Sequence, residues 1–462
     1  MAPKFGTSGL RGLAVELTDD LCATYAAAFA SQHANNGSLY VGQDKRESSA
    51  RIAAAVARGA ASQGLSIVDC GILPTPAMAG AALRAKTISI MVTGSHIPAD
   101  RNGLKFYTAE GEFTKADEAL LAMAMAGFET PRHVAPSVTT TNEPLEDYLA
   151  RYTAGFAPDA LQGQRVGVWL HSSAAGEVLP GILRALGAEV VSLGEVSGFV
   201  PVDTEAVDVE TRDTLAAWVR EFSLDALVST DGDADRPLVV DDKGQVVPGD
   251  ILGPITARWC RADEVVTTVS ANTLVEGAKA FQRVSRTKIG SPYVIAEMEA
   301  RMAAGSIRVA GYEPNGGFLL GWDVSRNGRE IGALMTRDAV LPILATLAAA
   351  VEADMSVSGL VAALPTRRTA TDRLENIPQE ISLRLVNGIL AGETSLFPTG
   401  LGQVVEIDRT DGVRLRFDSG RILHVRPSGN APELRCYVEA ESDAAAADLL
   451  QLALSNLRRA VQ

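Results

Sequence analysis

The segment that decides the fold is SLYVGQDKRESSARIAAAVARGAASQGLSIVDCG, residues 38–71. It begins with the β-branched and aromatic run SLYVGQD (38–44) and continues with an alanine-rich stretch from Ser48 to Gly64, in which apolar residues recur at helical spacing. It ends in a second β run, LSIVDCG. A strand, a helix and a strand in this order predict a β-α-β unit.

Two later segments repeat this layout. QRVGVWL (164–170) precedes AAGEVLPGILRALG and AEVVSLG, and EVVTTVSANT (264–273) precedes the helical pattern LVEGAKAFQRV and the run SRTKIG. The recurrence is on the order of 100 residues, which suits duplicated domains and is too long for a solenoid repeat. We therefore predict one α/β domain used three times.

Each unit is followed by another apolar strand that enters a loop rich in glycine and polar residues. These segments are ISIMVTGSHIPADRNG (88–103), LDALVSTDGDADRP (224–237) and IRVAGYEPNGG (307–317). Ligand sites in α/β sheets lie beyond the carboxyl ends of the strands. We expect the three loops to converge on one central cleft.

The last part of the chain has a different pattern. RLRFDSGRILHVRPSGNAPELRCYVEAESDAAAADLLQLALSNLRRA (414–460) predicts strands joined by short turns and one final helix, an α+β layout with antiparallel pairing. We predict four domains: α/β domains at residues 1–150, 151–250 and 251–368, with mixed sheets, and a smaller α+β domain at residues 369–462.

Composition limits the partners and the compartment. The 462 residues carry a formal net charge of −14, which argues against nucleic acid or an anionic membrane as a partner. No stretch has the roughly 20 apolar residues that a membrane span requires, and no signal peptide is visible, so we expect a cytoplasmic protein. The cysteines are far apart, without C-x-x-C pairs, and are expected to be small buried residues: Cys22, Cys70, Cys260 and Cys436.

The loop DGDADR places Asp231, Asp233 and Asp235 at alternate positions. Three carboxylates turned towards one point need a cation to neutralise them, and Mg²⁺ suits a few hard oxygen ligands. An EF-hand would require glycine and glutamate where this chain has Arg236 and Asp242. The alternative is a polar β-turn without a metal.

Two further loops carry polar groups suited to a sugar phosphate. RPSGNAPELR (426–435) combines two arginines, a hydroxyl and a glycine that lets backbone N–H groups approach an anion, as in a phosphate cradle. GYEPNGG (311–317) offers the carboxylate of Glu313 and the amide of Asn315. The alternatives are a simple hairpin for the first loop and a plain connection for the second.

Ser95 either needs an activation other than a hydrolase triad or is only a turn serine. Neighbouring side chains on an extended segment point to opposite sides, so we expect His96 to be poorly placed to reach the Ser95 hydroxyl, and the G-x-S-x-G elbow is absent. An exposed serine, a metal loop and a phosphate clamp together indicate phosphoryl transfer with serine as the carrier.

The motifs FGTSGLRG (5–12), TGSHIPADRNGLKF (93–106), DGDADR (231–236) and RPSGNAPELR (426–435) resemble those of the α-D-phosphohexomutases. This family includes phosphomannomutases, phosphoglucomutases and phosphoglucosamine mutases. The resemblance implies a phosphoserine at Ser95 and a Mg²⁺ site formed by its phosphoryl oxygen with Asp231, Asp233 and Asp235. It assigns cationic and proton-handling positions to Arg11, His96, Lys105 and Arg236. It assigns substrate contacts to Glu313, Asn315, Arg426, Ser428, Gly429, Asn430 and Arg435.

The reaction implied by the resemblance is reversible phosphoryl transfer between the 1- and 6-positions of a hexose phosphate through a bound hexose 1,6-bisphosphate. Mannose phosphate is expected first and glucose phosphate second. Glucosamine phosphate is expected well below both, because that branch usually opens with G-T-D-G-I-R-G. The protein is expected as a monomer or homodimer.

The sugar loop departs from the family pattern. Family members often read G-E-x-S-G-H there, whereas this chain keeps Glu313 but has Asn315 for the serine and Gly317 for the histidine. A second frequent histidine is missing from KIGSPY (288–293), and the clamp has Asn430 instead of threonine. The residues that select the sugar are the ones these departures affect.

Two other functions remain open from the sequence. A metal-dependent phosphatase would also use clustered aspartates, but it would release inorganic phosphate, and DGDADR lacks the fifth residue of the D-x-D-x-T/V motif. A sugar-phosphate sensor would bind its ligand without turnover and leave Ser95 unmodified.

Overall fold

The computed structural model describes residues 3–6, 9–34, 36–132, 134–392, 401–428 and 432–461. Four of its sheets form the framework, and a two-stranded hairpin is added to the third. No helix among these residues is long and apolar enough to cross a membrane.

The first sheet has seven strands and flanking helices. Its strands are β1 Lys4–Phe5, β2 Leu10–Leu13, β3 Ser38–Gln43, β4 Ser66–Ile72, β5 Ile88–Val92, β6 Arg101–Tyr107 and β7 Val138–Thr140. The helices are α1 Asp19–His33, α2 Ser49–Ala61, α3 Thr75–Arg84, α4 Lys115–Met125 and α5 Glu143–Gly155. The strand order is β1-β2-β6-β5-β3-β4-β7.

The second and third sheets have five strands each. The second contains β8 Arg165–His171, β9 Glu189–Glu195, β10 Ala226–Thr230, β11 Pro237–Val240 and β12 Val246–Val247, with helices α6 Val178–Ala185 and α7 Val209–Glu221. The third region contains α8 Gly249–Trp259, β13 Glu264–Thr268, α9 Leu274–Gly277, β14 Arg283–Thr287, α10 Ser291–Ala303, β15 Val309–Tyr312, β16 Phe318–Leu320, the hairpin β17 Val324–Arg326 and β18 Arg329–Ile331, β19 Leu334–Asp338, α11 Val340–Glu352 and α12 Val357–Ala362.

The three α/β sheets share one strand arrangement, as the sequence pattern predicts. The orders β4-β3-β5-β6, β9-β8-β10-β11 and β14-β13-β15-β16 each join three parallel strands to one antiparallel strand. The mixed sheets are therefore confirmed. The strands β5, β10 and β15, which lead into the polar loops, are buried along their whole lengths.

The predicted helix LVEGAKAFQRV in the third unit is wrong in its length. Only Leu274–Gly277 is helical, and the strand β14 already begins at Arg283. Lys279 has a φ of 48°, a left-handed conformation that a helix interior does not allow. The apolar residues of this segment therefore divide between a single helical turn and a strand.

The fourth region is antiparallel throughout. It contains β20 Arg368–Glu375, α13 Gln379–Leu390, β21 Val404–Asp408, β22 Val413–Phe417, β23 Ile422–Pro427, β24 Glu433–Ala440 and α14 Asp443–Val461, with strand order β20-β24-β23-β22-β21. The α+β prediction is confirmed. The predicted boundaries at residues 150, 250 and 368 fall within α5, in the first turn of α8 and at the start of β20, and they stay predictions.

Packing joins the first three sheets more closely than the fourth. One apolar cluster includes Met78 beneath the first sheet, Ile182 beside the second and Leu344 on α11. The fourth sheet packs α13 and α14 over a separate cluster that includes Leu415 and Leu454. The three loops that follow β5, β10 and β15 are consequently carried on a common core, whereas the loop after β23 belongs to a separate one.

His424 lies inside the fourth sheet, on β23. Its Nε2 is 2.6 Å from the carbonyl oxygen of Asp411, so Nε2 must donate a hydrogen, and its ring stacks on Tyr437 at 5.2 Å. Burial lowers the pKa of His424 to about 4, although the contact with Asp411 opposes the shift. The imidazole is neutral at pH 7.

We predict that His424 makes the fourth sheet acid-sensitive. Because its pKa is lower in the folded state than the ordinary value near 6.5, the unfolded chain binds more protons between pH 6.5 and pH 4, and stability is lost as the pH falls through this range. At pH 5 the loss is about 2 kcal/mol. His424→Gln keeps a donor for the carbonyl but does not titrate. When the free energy of unfolding is measured with urea, its decrease from pH 7 to pH 5 should be about 2 kcal/mol smaller in this variant than in the original protein. Equal pH dependence of the two proteins would contradict the prediction.

Candidate functional site

Ser95 lies directly beyond the carboxyl end of β5 and faces the second sheet. Its φ is 54°, and its backbone N–H donates to Thr93 Oγ1 at 2.7 Å. Its Oγ donates to Asp231 Oδ2 at 2.6 Å. Contrary to the expectation of an exposed serine, only 1% of the Ser95 surface is accessible, because the aspartate loop covers it.

The expectation that His96 cannot reach Ser95 is also wrong. His96 Nδ1 is 3.3 Å from Ser95 Oγ. The left-handed conformation of Ser95 turns the chain there, so the alternation of an extended strand no longer applies. Burial lowers the pKa of His96 well below its ordinary value, and the nearby Arg236 and Arg11 lower it further. His96 is therefore neutral next to the serine.

The DGDADR loop joins β10 to β11 and brings its three carboxylates together. One oxygen from each of Asp231, Asp233 and Asp235 lies within 4.8 Å of the others, and all three residues are buried. Asp231 Oδ1 accepts the backbone N–H groups of Asp235 and Arg236 at 3.1 and 3.2 Å, which closes the loop.

Two carboxylate oxygens in this loop are buried without a hydrogen-bond donor. They are Oδ1 of Asp233 and Oδ1 of Asp235, within the part of the chain that the structure describes. An unpaired buried carboxylate oxygen is costly, and a hard cation would supply the missing partner. The donor set of three carboxylates beside the Ser95 hydroxyl therefore fits a divalent metal ion of the Mg²⁺ type.

Lys105 partly neutralises the loop from the neighbouring strand β6. Its Nζ is 2.5 Å from Asp233 Oδ2 and 2.6 Å from Asp235 Oδ2. Burial would raise the pKa of Asp235, but Arg337, Lys105 and Arg236 outweigh burial and hold it below its ordinary value. Burial and the charges of Asp233 and Asp235 instead raise the pKa of Asp231. The cluster thus keeps negative charge at Asp235 while Asp231 is the easier carboxylate to protonate.

Two further arginines lie around the serine. Arg11 on β2 donates to the carbonyl oxygen of Thr93, and burial lowers its pKa to about 10. Arg236 Nε is 3.6 Å from Asp235 Oδ1, an ion pair beyond hydrogen-bond distance. Arg11 thus contacts the backbone two residues before Ser95, and Arg236 contacts the aspartate loop to which Ser95 Oγ donates a hydrogen bond.

The third loop brings Glu313 to the same place. Glu313 follows β15, is buried, and accepts from Arg337 Nη1 at 3.1 Å. Asn315 lies nearby, but its side-chain oxygen accepts the N–H of Gly317 at 3.0 Å and its backbone oxygen accepts from Thr204 at 2.9 Å. Asn315 therefore shapes the loop and ties it to the second region.

The arginines of the fourth region are paired within their own sheet. Arg426 Nε is 3.2 Å from Asp411 Oδ2, and Arg435 Nη2 is 3.4 Å from Glu433 Oε2. Ser428 is buried, and its N–H donates to the carbonyl of Glu433. The remaining two residues of the predicted clamp, Gly429 and Asn430, lie outside the described residues.

Glu205 lines a cavity between the second, third and fourth regions, and the sequence did not predict it as a site residue. It is open to water but enclosed by the second, third and fourth regions, in a cavity of about 820 Å³ also lined by Pro314 and Tyr437. The neighbouring carboxylates Asp203 and Glu313 raise its pKa, and Arg236 and Arg435 oppose the shift. Glu205 is thus in the electrostatic neighbourhood of both Arg236 and Arg435.

Arg46 and Asp44 are the main site residues that the sequence reasoning missed. The Arg46 guanidinium donates to the carbonyl oxygens of Pro98, Arg101, Ser95 and Ile97 at 2.6–2.9 Å. Asp44 in turn holds Arg46 and accepts from Thr93 and Gly94. The signal was the charged run QDKRESS directly after β3, at the same sheet edge as Ser95.

Comparison with known proteins identifies the family. The sequence matches models of phosphoglucomutase/phosphomannomutase alpha/beta/alpha domains I, II and III at residues 2–127, 146–244 and 248–367, and of the C-terminal domain at residues 370–454. The chain belongs to the phosphoglucomutase/phosphomannomutase family.

Individual relatives cover almost the whole chain. A phosphomannomutase of Sinorhizobium fredii is 45% identical over 99% of both chains, and one of Salmonella muenchen is 42% identical over 98% of this chain and 95% of the relative. The crystal structure of a phosphoglucomutase/phosphomannomutase family protein from Burkholderia thailandensis has a TM-score of 0.78 at 21% identity, covering 98% of this chain and 97% of that one. This last likeness concerns the fold.

We predict that Arg46 holds the Ser95 loop in place. Arg46→Lys keeps the charge, but one ammonium cannot reach four carbonyls, so the variant loses at least one charge-assisted hydrogen bond. The loss of one such bond destabilises the closed loop by about 1.5 kcal/mol. Hydrogen exchange of the Gly94, Ser95 and Ile97 amides, measured by peptide-resolved mass spectrometry, should therefore become about tenfold faster. The control is Arg51→Lys, at an arginine that pairs with Asp19 away from this loop and should leave these amides unchanged. An unchanged loop in Arg46→Lys would contradict the prediction.

Proposed function

We propose that this protein catalyses reversible phosphoryl transfer between the 1- and 6-positions of a hexose phosphate, with mannose 1-phosphate and mannose 6-phosphate as the first substrates. The observation that carries the proposal is the 2.6 Å contact of Ser95 Oγ with Asp231 Oδ2, inside a buried cluster of three carboxylates. Similarity to two phosphomannomutases over nearly the whole chain supports the choice of reaction.

The aspartate loop is proposed to hold Mg²⁺ through Asp231, Asp233 and Asp235, together with an oxygen on phosphorylated Ser95. When bound, the ion would neutralise the phosphoryl oxygens and stabilise the charge that develops on Ser95 Oγ. The support is that one buried carboxylate oxygen on Asp233 and one on Asp235 accept no hydrogen bond from the described part of the chain. Lys105 donates to Asp233 and Asp235, which reduces the repulsion between the two carboxylates and orients them within the loop.

The proposed reaction has two phosphoryl transfers, one from Ser95 to the sugar and one from the sugar back to Ser95. The P–O bond to Ser95 Oγ breaks while a free sugar hydroxyl forms a new P–O bond. The sugar hydroxyl loses its proton and Ser95 Oγ gains one, so the products are a hexose 1,6-bisphosphate and the free serine hydroxyl. The bisphosphate turns over, and its other phosphate returns to Ser95. Neutral His96, 3.3 Å from Ser95 Oγ, is proposed to handle a proton, and Arg11 and Arg236 to offset negative charge.

Substrate binding is proposed to use the third and fourth regions. Glu313 would grip sugar hydroxyls, with Asn315 shaping its loop, and the clamp would hold whichever phosphate is not reacting. The proposed clamp residues are Arg426, Ser428, Gly429, Asn430 and Arg435. Glu205, Pro314 and Tyr437 line one cavity, and this supports a single cleft that serves both ends of the sugar.

Other assignments remain alternatives. One alternative is a phosphoglucomutase that acts mainly on glucose phosphates, and a lower-ranked alternative is a phosphoglucosamine mutase. A phosphatase would release inorganic phosphate, and a sugar-phosphate sensor would bind without turnover. A cytoplasmic location and a monomeric or homodimeric state stay predictions.

The first test of the function concerns Ser95. Ser95→Ala should abolish interconversion of mannose 1-phosphate and mannose 6-phosphate, with Mg²⁺ and bisphosphate activator present, because no other group can carry the phosphoryl. The substitution removes one hydroxyl, so the fold should persist in circular dichroism. The mass of the intact protein should show a phosphoryl group in the original protein and none in the variant. Peptide mass spectrometry should place that group on the peptide that contains Ser95. More than a few per cent of residual activity would rule out the phosphoserine role.

The second test concerns the sugar. Mannose and glucose phosphates differ at the 2-hydroxyl, whereas a carboxylate such as Glu313 is proposed to contact the 3- and 4-hydroxyls that both share, so both should react. We expect kcat/KM to rank mannose 1-phosphate first, glucose 1-phosphate close behind and glucosamine 1-phosphate well below, at one activator concentration. A glucose preference above about tenfold, equivalent to about 1.4 kcal/mol, would make the protein primarily a phosphoglucomutase.

A further inference from the structure

Arg337 on β19 connects the aspartate loop with the Glu313 loop. Its guanidinium lies 2.8 Å (Nη2) and 3.1 Å (Nε) from Asp235 Oδ2, and its Nη1 lies 3.1 Å from Glu313 Oε1. Only 3% of the Arg337 surface is accessible, and both carboxylates are buried as well. One buried cation thus touches the proposed metal loop and the proposed sugar loop at once, although these belong to different sheets.

Gly317 provides the room for this arrangement. A Cβ atom at position 317 would lie 2.6 Å from Cδ and 2.8 Å from Cγ of Arg337, closer than such atoms can approach. Gly317 does not have the positive φ that favours glycine, so the position is limited by space and not by backbone conformation. Family members often have histidine at the position of Gly317. In this protein the Arg337 side chain fills the space that a side chain at position 317 would occupy.

The chemistry of the contact requires an arginine. Burial lowers the pKa of Arg337, but Asp235, Glu313 and Glu112 outweigh burial and raise it well above the ordinary value, so the group is always charged. A planar guanidinium can donate in fixed directions to two carboxylates, whereas a lysine ammonium is a single point charge. Glu112 reinforces the position by accepting from Thr336, the residue before Arg337, at 2.6 Å.

We infer that Arg337 is a positioning residue that sets the orientation of Glu313 relative to Asp235. The inference rests on the proposed function. Through Asp235 it orients a carboxylate of the cation-binding loop. Through Glu313 it orients the carboxylate proposed to grip the sugar. Partners of ligating carboxylates typically change metal affinity or activity by about 10–100-fold when they are removed.

The first experiment compares Arg337→Lys with the original protein and with Arg301→Lys. Arg301 is the matched control, since it pairs with Glu264 on the same third region but contacts no site residue. In Arg337→Lys we expect a thermal midpoint close to that of the original protein, about tenfold weaker Mg²⁺ binding by calorimetry, and kcat for mannose 1-phosphate lowered by about 10²-fold. Arg301→Lys should match the original protein in all three measurements. A folded Arg337→Lys with unchanged Mg²⁺ affinity and unchanged kcat would overturn the inference.

The second experiment is a double-mutant cycle. Arg337→Met removes the guanidinium and should weaken Mg²⁺ binding. Gly317→Ala should displace the Arg337 side chain and cause a similar loss of Mg²⁺ affinity, and the double variant should be no worse than Arg337→Met alone. Gly277→Ala, where the nearest atom to the added Cβ is 3.7 Å away, is the control. Additive losses from Gly317→Ala and Arg337→Met would overturn the inference. If the original protein has no mutase activity, the proposed function fails, while the Mg²⁺ titrations still decide the role of Arg337.

Discussion

The constraint on which the rest of the structure depends is the burial of three carboxylates in the loop after β10. Buried negative charges repel one another and lose their hydration, so the protein must bring cations to them. Lys105 comes from the first sheet and Arg337 from the third, and each contacts Asp235 Oδ2. The aspartate loop is therefore the point at which three separate sheets are electrostatically joined, and it still retains oxygens without a donor.

The repeated sheet arrangement explains why these groups can meet. Each α/β sheet ends its middle strand in a polar loop, and the shared apolar core keeps the first three sheets packed together. Groups of the proposed site can then come from distant parts of the chain, as with Ser95 and Asp231, which are 136 residues apart. The fourth sheet is antiparallel and has its own core, separate from the core that the first three sheets share.

Two arginines organise the cleft in different ways. Arg46 binds four carbonyl oxygens of the segment around Ser95 and so shapes one loop from within the first sheet. Arg337 binds side chains from two loops and so relates one sheet to another. Both use the several fixed donors of a guanidinium, which a lysine in the same place lacks. Neither is exposed enough to serve as a general anion-binding residue.

The sequence by itself determined the three β-α-β units, the antiparallel last sheet and the residue types in the loops, because periodicity and strand-end chemistry are local properties. The loop motifs also single out Ser95 and the three aspartates as candidate site residues. Only the tertiary structure decided that Ser95 is buried, that its left-handed backbone brings His96 within 3.3 Å of the hydroxyl, and that Arg337 joins Asp235 to Glu313. These features depend on partners that pack from other sheets, and on a turn conformation that those partners stabilise, and no local pattern in the chain specifies either.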